Sequence, residues 1–344
     1  MAAKSNRPLP DHQANLLKKG IFHAIPGQSE PMRAVYCDGR SVRLRRDHDE
    51  PAAAPGEVIV SVVAVGICDT DLQLARGYMD YRGVLGHEFV GLTENGRRVT
   101  AEINNACHRC ETCASGRSQH CPNRTVLGIL NHDGAMAERV AVPARNLHEV
   151  PAAIDDHRAV FIEPLAAAFR ITEQIELGPG VRIAVLGDGK LGILCAKVAR
   201  LTGAQVTLIG KHRSKLALAG EGIATQTLEE SRAMARSFDV VADCTGSKTG
   251  LPTALALVRP CGTIVLKTTV AGHYEADLAP IVIDEVRIVG SRCGPFPKAI
   301  EALAENRIDV APLIGSIYPL DDAERAFAAA AEKGARKVLI EVTM

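Results

Sequence analysis

Cys107, Cys110, Cys113 and Cys121 form a C-x2-C-x2-C-x7-C run. Four thiolates in so short a loop can close a tetrahedral shell around one Zn²⁺, with bonds of about 2.3 Å. Nucleic-acid-binding ribbons pair two knuckles across roughly 15 to 20 residues, so the short final spacer does not suit one. Free thiols or two disulfides are the competing reading. A second constellation, Gly187-Asp188-Gly189-Lys190-Leu191-Gly192, is a G-x-G-x-x-G at the point where an apolar run gives way to a helical one. Glycines there permit a tight turn and let backbone amides approach a pyrophosphate at the positive end of the helix. The strand before it and the helix after it make dinucleotide binding the expected use. About 20 positions further on, dinucleotide folds place a carboxylate on the ribose 2′-hydroxyl. This chain has Gly210-Lys211-His212-Arg213 instead. Cations hold a 2′-phosphate that a carboxylate repels, so the segment favours NADP(H) over NAD(H). A solvated helix start is the plainer alternative.

Three more segments carry reactive side chains: Gly66-Ile67-Cys68-Asp69-Thr70-Asp71, Gly86-His87-Glu88-Phe89-Val90-Gly91 and Phe161-Ile162-Glu163-Pro164-Leu165. Each has an ordinary reading alone. Cys68 suits a buried thiol, His87 a satisfied core histidine, and Glu163 a helix-start acid with Pro164 in the first turn.

The elements that must position these groups fall into two textures. From Met32 to about Val150, short apolar runs are broken by Gly, Pro and Asp, with strands expected at Met32 to Tyr36, Glu57 to Val65, Arg139 to Val142 and Leu147 to Val150. This is an antiparallel, loop-rich half. From about Ala159, strand and helix alternate: Val181 to Leu186, the helix Leu191 to Thr202, then Gln205 to Ile209, Asp239 to Ala242 and Thr263 to Leu266. Such βαβ units predict an α/β fold with a parallel, doubly wound sheet. After about Ser291 the character is mixed again, with a helix near Asp321 to Ala331 and a last strand near Lys337 to Val342 that rejoin the first half. Residues 1–31, with scattered Lys, Arg and Pro, are expected to form a flexible extension.

With 344 residues, 47% of them apolar, the chain can bury more than one core. Lys plus Arg equals Asp plus Glu at forty each. This leaves no broad electrostatic footprint for nucleic acid or an anionic membrane, so a small-molecule partner is expected. No apolar stretch nears the roughly 20 residues of a membrane span, and no secretory leader is evident, which points to a soluble cytoplasmic protein. In that reducing compartment the ten cysteines read as metal ligands and buried thiols, with Cys37, Cys195, Cys244, Cys261 and Cys293 as core residues.

Taken together in order and spacing, GICDTD, GHEFVG, the cysteine run, FIEPLAAA, GDGKLG and the later Ile288-Val289-Gly290-Ser291-Arg292-Cys293-Gly294 resemble the zinc-dependent medium-chain dehydrogenases. That superfamily contains the alcohol, sorbitol and threonine dehydrogenases, and the likeness runs from about Met32 to the C-terminus. It implies a groES-like, β-rich catalytic domain formed by residues 32–155 and 292–344, with a metal lobe at 105–123. A Rossmann domain at 156–291 would lie between the two parts. It also implies a catalytic zinc on Cys68, His87 and Glu163, with Glu88 close enough to approach the metal, and a structural zinc in the cysteine quartet. A glutamate as third ligand resembles the sorbitol and threonine branch.

Thr70 retains the hydroxyl that such enzymes place beside the metal, and Asp71 resembles the acid that orients the ligating histidine. Gln73 stands where many members carry a relay histidine, so the outward proton path differs. The Cys68 thiolate and Glu163 carboxylate would cancel the two charges of zinc, leaving the open position to water or a neutral alcohol. The expected reaction is hydride transfer between a secondary alcohol or polyol and NAD(P). The alternatives are a zinc-independent quinone or enoyl reductase of the same superfamily and a non-catalytic zinc-binding scaffold. The family habit also implies a homodimer or homotetramer, paired through an edge strand near 286–290.

Overall fold

In the computed structural model, residues 31–269 and 275–342 are described; the extension expected over 1–31 lies outside them up to residue 30. The first half lays down β1 (Met32–Cys37), β2 (Val42–His48), β3 (Glu57–Gly66), β4 (Gly83–Val84), β5 (Glu88–Thr93) and β6 (Arg98–Ala101). It continues with β7 (Asn104–Asn105), β8 (Thr125–Val126), β9 (Arg139–Pro143) and β10 (Leu147–Glu149). The alternating half supplies β11 (Arg182–Leu186), β12 (Gln205–Gly210), β13 (Ala224–Thr227), β14 (Phe238–Asp243), β15 (Val258–Leu266) and β16 (Arg287–Gly290). Two strands close the chain, β17 (Ile314–Pro319) and β18 (Lys337–Glu341).

The six middle strands form one parallel sheet in the order β13-β12-β11-β14-β15-β16. This is the doubly wound arrangement, whose strand order reverses between β11 and β14 and opens a crevice at their carboxyl ends. Four of the five residues of β11 are buried, as a strand covered on both faces requires. The glycine loop follows it directly and leads into the helix Lys190–Leu201.

The other half is built on the sheet path β10-β6-β5-β3-β18-β17, with β9 also paired to β3. Strand β18 lies between β3 and β17, antiparallel to the first and parallel to the second, so the end of the chain completes the sheet begun near its start. An apolar core links the two halves. Val63 of β3 and Val90 of β5 pack in one cluster with Ile162 and Leu165 of the helix Ile162–Phe169 and with Ile183 and Val185 of β11. Gly294 adjoins that helix so closely that a Cβ would stand 2.0 Å from the carbonyl oxygen of Ala166.

Two expectations are corrected. Strand β15 starts five residues before Thr263 and contains an irregularity, because Phe238 pairs with Val258 but Val240 pairs with Thr263. Cys261 lies in that irregularity with φ 58° and is exposed, so it is not a core thiol, whereas Cys293 is half-buried and packs against the core of the first half. Among the described residues, no helix is long and apolar enough to cross a membrane.

Candidate active site and metal centres

Strand β3 ends at Gly66, and Cys68 caps the short helix Asp69–Leu74. The wholly buried Asp71 holds this corner. Its Oδ2 accepts the Cys68 N–H at 2.8 Å, and its Oδ1 accepts the Gly86 N–H at 3.3 Å and lies 3.5 Å from His87 Nδ1. Gly86 takes φ 99°, where a Cβ would meet Met136 at 2.6 Å; this turn delivers His87 and Glu88 to the same spot. Gly66 pairs with Glu88 across the sheet, and a Cβ on it would stand 2.8 Å from Glu88 Oε2. Donor atoms of Cys68, His87 and Glu88 consequently lie within 4.8 Å of one another.

The buried Glu163, on the helix Ile162–Phe169, falls outside that tight group but within electrostatic reach of it. Burial pushes its carboxyl up to about 7, with the Glu88 charge adding to the rise and His87 opposing it. Burial also raises the Cys68 thiol, reinforced by Glu88. Burial disfavours the His87 imidazolium, yet Asp71 outweighs it and raises the proton affinity of the ring. His87 Nδ1 has no hydrogen-bond partner of good geometry. A half-buried thiol, a buried imidazole whose Nδ1 faces Asp71 and two buried carboxyls form a donor set that a divalent cation would satisfy by displacing protons. Thr70 is half-buried beside this group, whereas Gln73 is exposed.

A buried lysine that the sequence reading did not single out completes the site. Lys337 of β18 forms an ion pair with Glu88 and directs its Nζ at the Ile67 carbonyl oxygen, 3.4 Å away. Its side chain is 2% exposed and that of Glu88 1% exposed. A second, Lys267 at the end of β15, donates to Ala167 O at 2.6 Å, Ser291 Oγ at 3.1 Å and Arg292 O at 3.4 Å. It ties the helix carrying Glu163 to the segment after β16. Arg292 itself is spent on Asn104 Oδ1 at 3.0 Å. The only local signal for either lysine was a cation at the end of an apolar strand.

The cysteine quartet converges. Cys110 Sγ lies 3.5 Å from Cys113 and 3.7 Å from Cys121, and Cys121 lies 3.5 Å from Cys107. A tetrahedron with zinc-sulfur bonds of about 2.3 Å has edges of about 3.8 Å, so the thiols already stand at nearly the required spacing. The Arg109 backbone N–H, aided by the neighbouring thiols, draws Cys107 down to about 6.

The glycine loop has the form a pyrophosphate needs. Gly187 takes φ 114°, and a Cβ on Gly192 would stand 1.9 Å from Gly187 O. Gly189 faces open space, and no side chain caps the helix that starts there. Lys190 Nζ binds Asp69 Oδ1 at 3.0 Å, joining this loop to the Cys68 corner. The carboxylate missing from the end of β12 arrives from elsewhere. Asp188 Oδ2 accepts the backbone N–H groups of Lys211 at 2.7 Å and His212 at 2.6 Å, with His212 Nδ1 2.9 Å away. Arg213 forms an ion pair with Glu230.

Comparison with known proteins agrees with this architecture. The family described as "Alcohol dehydrogenase GroES-like domain" matches residues 54–152, and "Zinc-binding dehydrogenase" matches residues 191–306. A 2-dehydro-3-deoxy-L-galactonate 5-dehydrogenase of Pseudoalteromonas atlantica is 30% identical over 86% of this chain and 94% of its own length. Among solved structures, a zinc-binding dehydrogenase of Sinorhizobium meliloti 1021 bound to NADP is 29% identical, with a TM-score of 0.81 over 90% of this chain and 99% of that one. An alcohol dehydrogenase of Escherichia coli CFT073 complexed with NADH is 26% identical, with a TM-score of 0.81 and the same coverage.

Proposed function

Since the chain belongs to the zinc-dependent medium-chain dehydrogenase/reductase family, we propose that it oxidises a secondary alcohol or polyol, or reduces the matching carbonyl, with zinc and a nicotinamide cofactor. The observation that carries this reading is the meeting of Cys68, His87 and Glu88 within 4.8 Å, with the buried Glu163 within their electrostatic reach. Two carboxylates share the site, and among the described residues only Glu88 forms a salt bridge. Glu88, though inside the 4.8 Å group, is balanced by Lys337, which leaves Cys68, His87 and Glu163 as the ligand set that offsets a doubly charged ion. Zinc there would lower the pKa of the substrate hydroxyl, and the nicotinamide would take the hydride. Thr70 would accept the hydrogen bond of the substrate hydroxyl and, as that proton transfers to it, release its own hydroxyl proton to solvent water, with Gln73 standing where a relay histidine would be. Asp71 fixes Cys68 and His87 in place. Cys107, Cys110, Cys113 and Cys121 hold a second, structural zinc.

Residues 32–155 and 292–344 act as the catalytic unit and 156–291 as the nucleotide unit, a division supported by the pairing of β18 with β3. Gly187, Gly189, Gly192 and the amides between them receive the pyrophosphate. Of the basic residues after β12, Lys211 favours NADP(H), while His212 lies against Asp188 and Arg213 against Glu230; one of the similar structures holds NADP and another NADH. The edge strand β16, with Ile288 39% exposed, supports a homodimer or homotetramer, and the cysteine usage supports a cytoplasmic location.

The test is direct. The purified protein should contain about two zinc ions per chain, and Cys68→Ala should abolish alcohol-dependent nicotinamide reduction while leaving NAD(P)H binding intact. Undiminished turnover in that variant would refute the assignment.

A further inference from the structure

The basic segment after β12 is less basic than its composition. His212 lies against the Asp188 carboxylate, Arg213 is paired with Glu230, and Glu230 is also anchored by the Thr227 N–H at 2.8 Å. Among the described residues, only Lys211 of the three basic side chains lacks an acidic partner. The two backbone N–H groups that follow Gly210 point at Asp188 Oδ2, so an anion supplied by the chain occupies the place where amides would otherwise receive one from a ligand. The side chain of Asp188 is 12% exposed. Burial alone would raise this carboxyl, but the donors from His212 and Lys211 more than offset it and keep the group ionised.

The strand end is shaped for that visitor. A Cβ on Gly210 would stand 2.5 Å from Asp188 Cβ and 2.8 Å from its Oδ2, so any side chain at 210 would expel the carboxylate. Among the described residues no hydrogen bond reaches Asp188 Oδ1, which remains available as an acceptor.

We propose that Asp188 sets the selectivity between the two nicotinamide cofactors. Its carboxylate, delivered by the glycine loop and not by the end of β12, accepts the adenosine ribose 2′-hydroxyl of NAD(H) and repels the 2′-phosphate of NADP(H). The inference rests on the dinucleotide reading of this crevice and limits its NADP preference. Lys211 attracts the phosphate, Asp188 opposes it, and the protein uses both cofactors.

Isothermal calorimetry with NADPH, NADH and adenosine 2′,5′-bisphosphate tests this independently of turnover. The wild type should bind NADPH and NADH with Kd values within about tenfold of each other. Asp188→Ser should raise the ratio of the NADH Kd to the NADPH Kd at least tenfold, about 1.4 kcal/mol, and should tighten adenosine 2′,5′-bisphosphate. Asp188→Asn keeps an acceptor for the Lys211 and His212 amides but loses the charge. It should move the ratio the same way, and it serves if the serine variant does not fold. Equal weakening of both nucleotides with an unchanged ratio would reduce Asp188 to a prop for the loop and overturn the proposal. A wild type that prefers NADPH more than a hundredfold would overturn it too. Failure of the wild type to bind any of the three ligands would instead remove the dinucleotide reading beneath it.

Discussion

Lys337 offers a sharp test of how this site is held together. Its ammonium and the Glu88 carboxylate are sealed from solvent at 2% and 1% exposure, one on β18 and the other at the start of β5. Replacing Lys337 by Met keeps the length of the side chain and strands a buried carboxylate. Breaking such a pair from one side costs about 3–5 kcal/mol, because the remaining charge has neither water nor a partner. At about 2 °C per kcal/mol for a chain of this size, the thermal midpoint should fall by about 6–10 °C. The double variant Lys337→Met/Glu88→Gln removes both charges and should recover most of that loss, which a double-mutant cycle followed by circular dichroism would read.

Burial lowers the proton affinity of Lys337, but Glu88 more than compensates, so the folded value lies above the ordinary one. Its stabilisation is therefore complete below the unfolded value of about 10.4 and is lost only as pH rises through the higher folded value. A single-variant loss under about 1 kcal/mol, or a double variant equal to the sum of the singles, would refute the view that the two side chains depend on each other.

Two further outcomes follow from the geometry. Cys110→Ser breaks the quartet at the sulfur that lies 3.5 and 3.7 Å from two of its neighbours, and zinc measured by mass spectrometry should drop from about two ions per chain to about one; two retained ions would contradict the assignment. The Asp38 carboxylate accepts the N–H groups of Arg40 and Ser41 at 2.9 and 2.8 Å, donors that hold it down at about 2, below its unfolded value. Its stabilising effect is present above about pH 4 and lost as pH falls towards 2, so the melting curves of wild type and Asp38→Ala should differ at neutral pH and converge in acid.

Local patterns were most legible where a strand is buried on both faces. The run Arg182–Leu186 differs from expectation by one residue at its start and the helix after it by one residue at each end, because short β-branched stretches and a glycine loop leave few alternatives. Strand β2 escaped notice because Arg43, Arg45 and Arg46 face outward from it, and Arg45 gains its place by lying 4.0 Å over the Tyr36 ring. Within the site, Cys68 and His87 announced themselves through neighbours a few positions away. The partners of Glu88 and of the Lys211 amides did not. Lys337 reaches Glu88 from the far end of the chain, and Asp188 reaches Lys211 from another loop; such pairings are written in sheet register and backbone path and leave no local spacing to read.

The position of β18 has a consequence for the order of assembly. Its pairing of Leu339 with Gly66 is among the most distant contacts in the described residues, so the sheet behind the Cys68 corner cannot close until the chain has been synthesised through Glu341. The parallel sheet between residues 182 and 290 can consolidate earlier, whereas β3 waits with an uncovered edge. During translation the stretch of β3 that β18 covers, Ala64 to Gly66, needs protection from self-association, and removing β18 would leave it open.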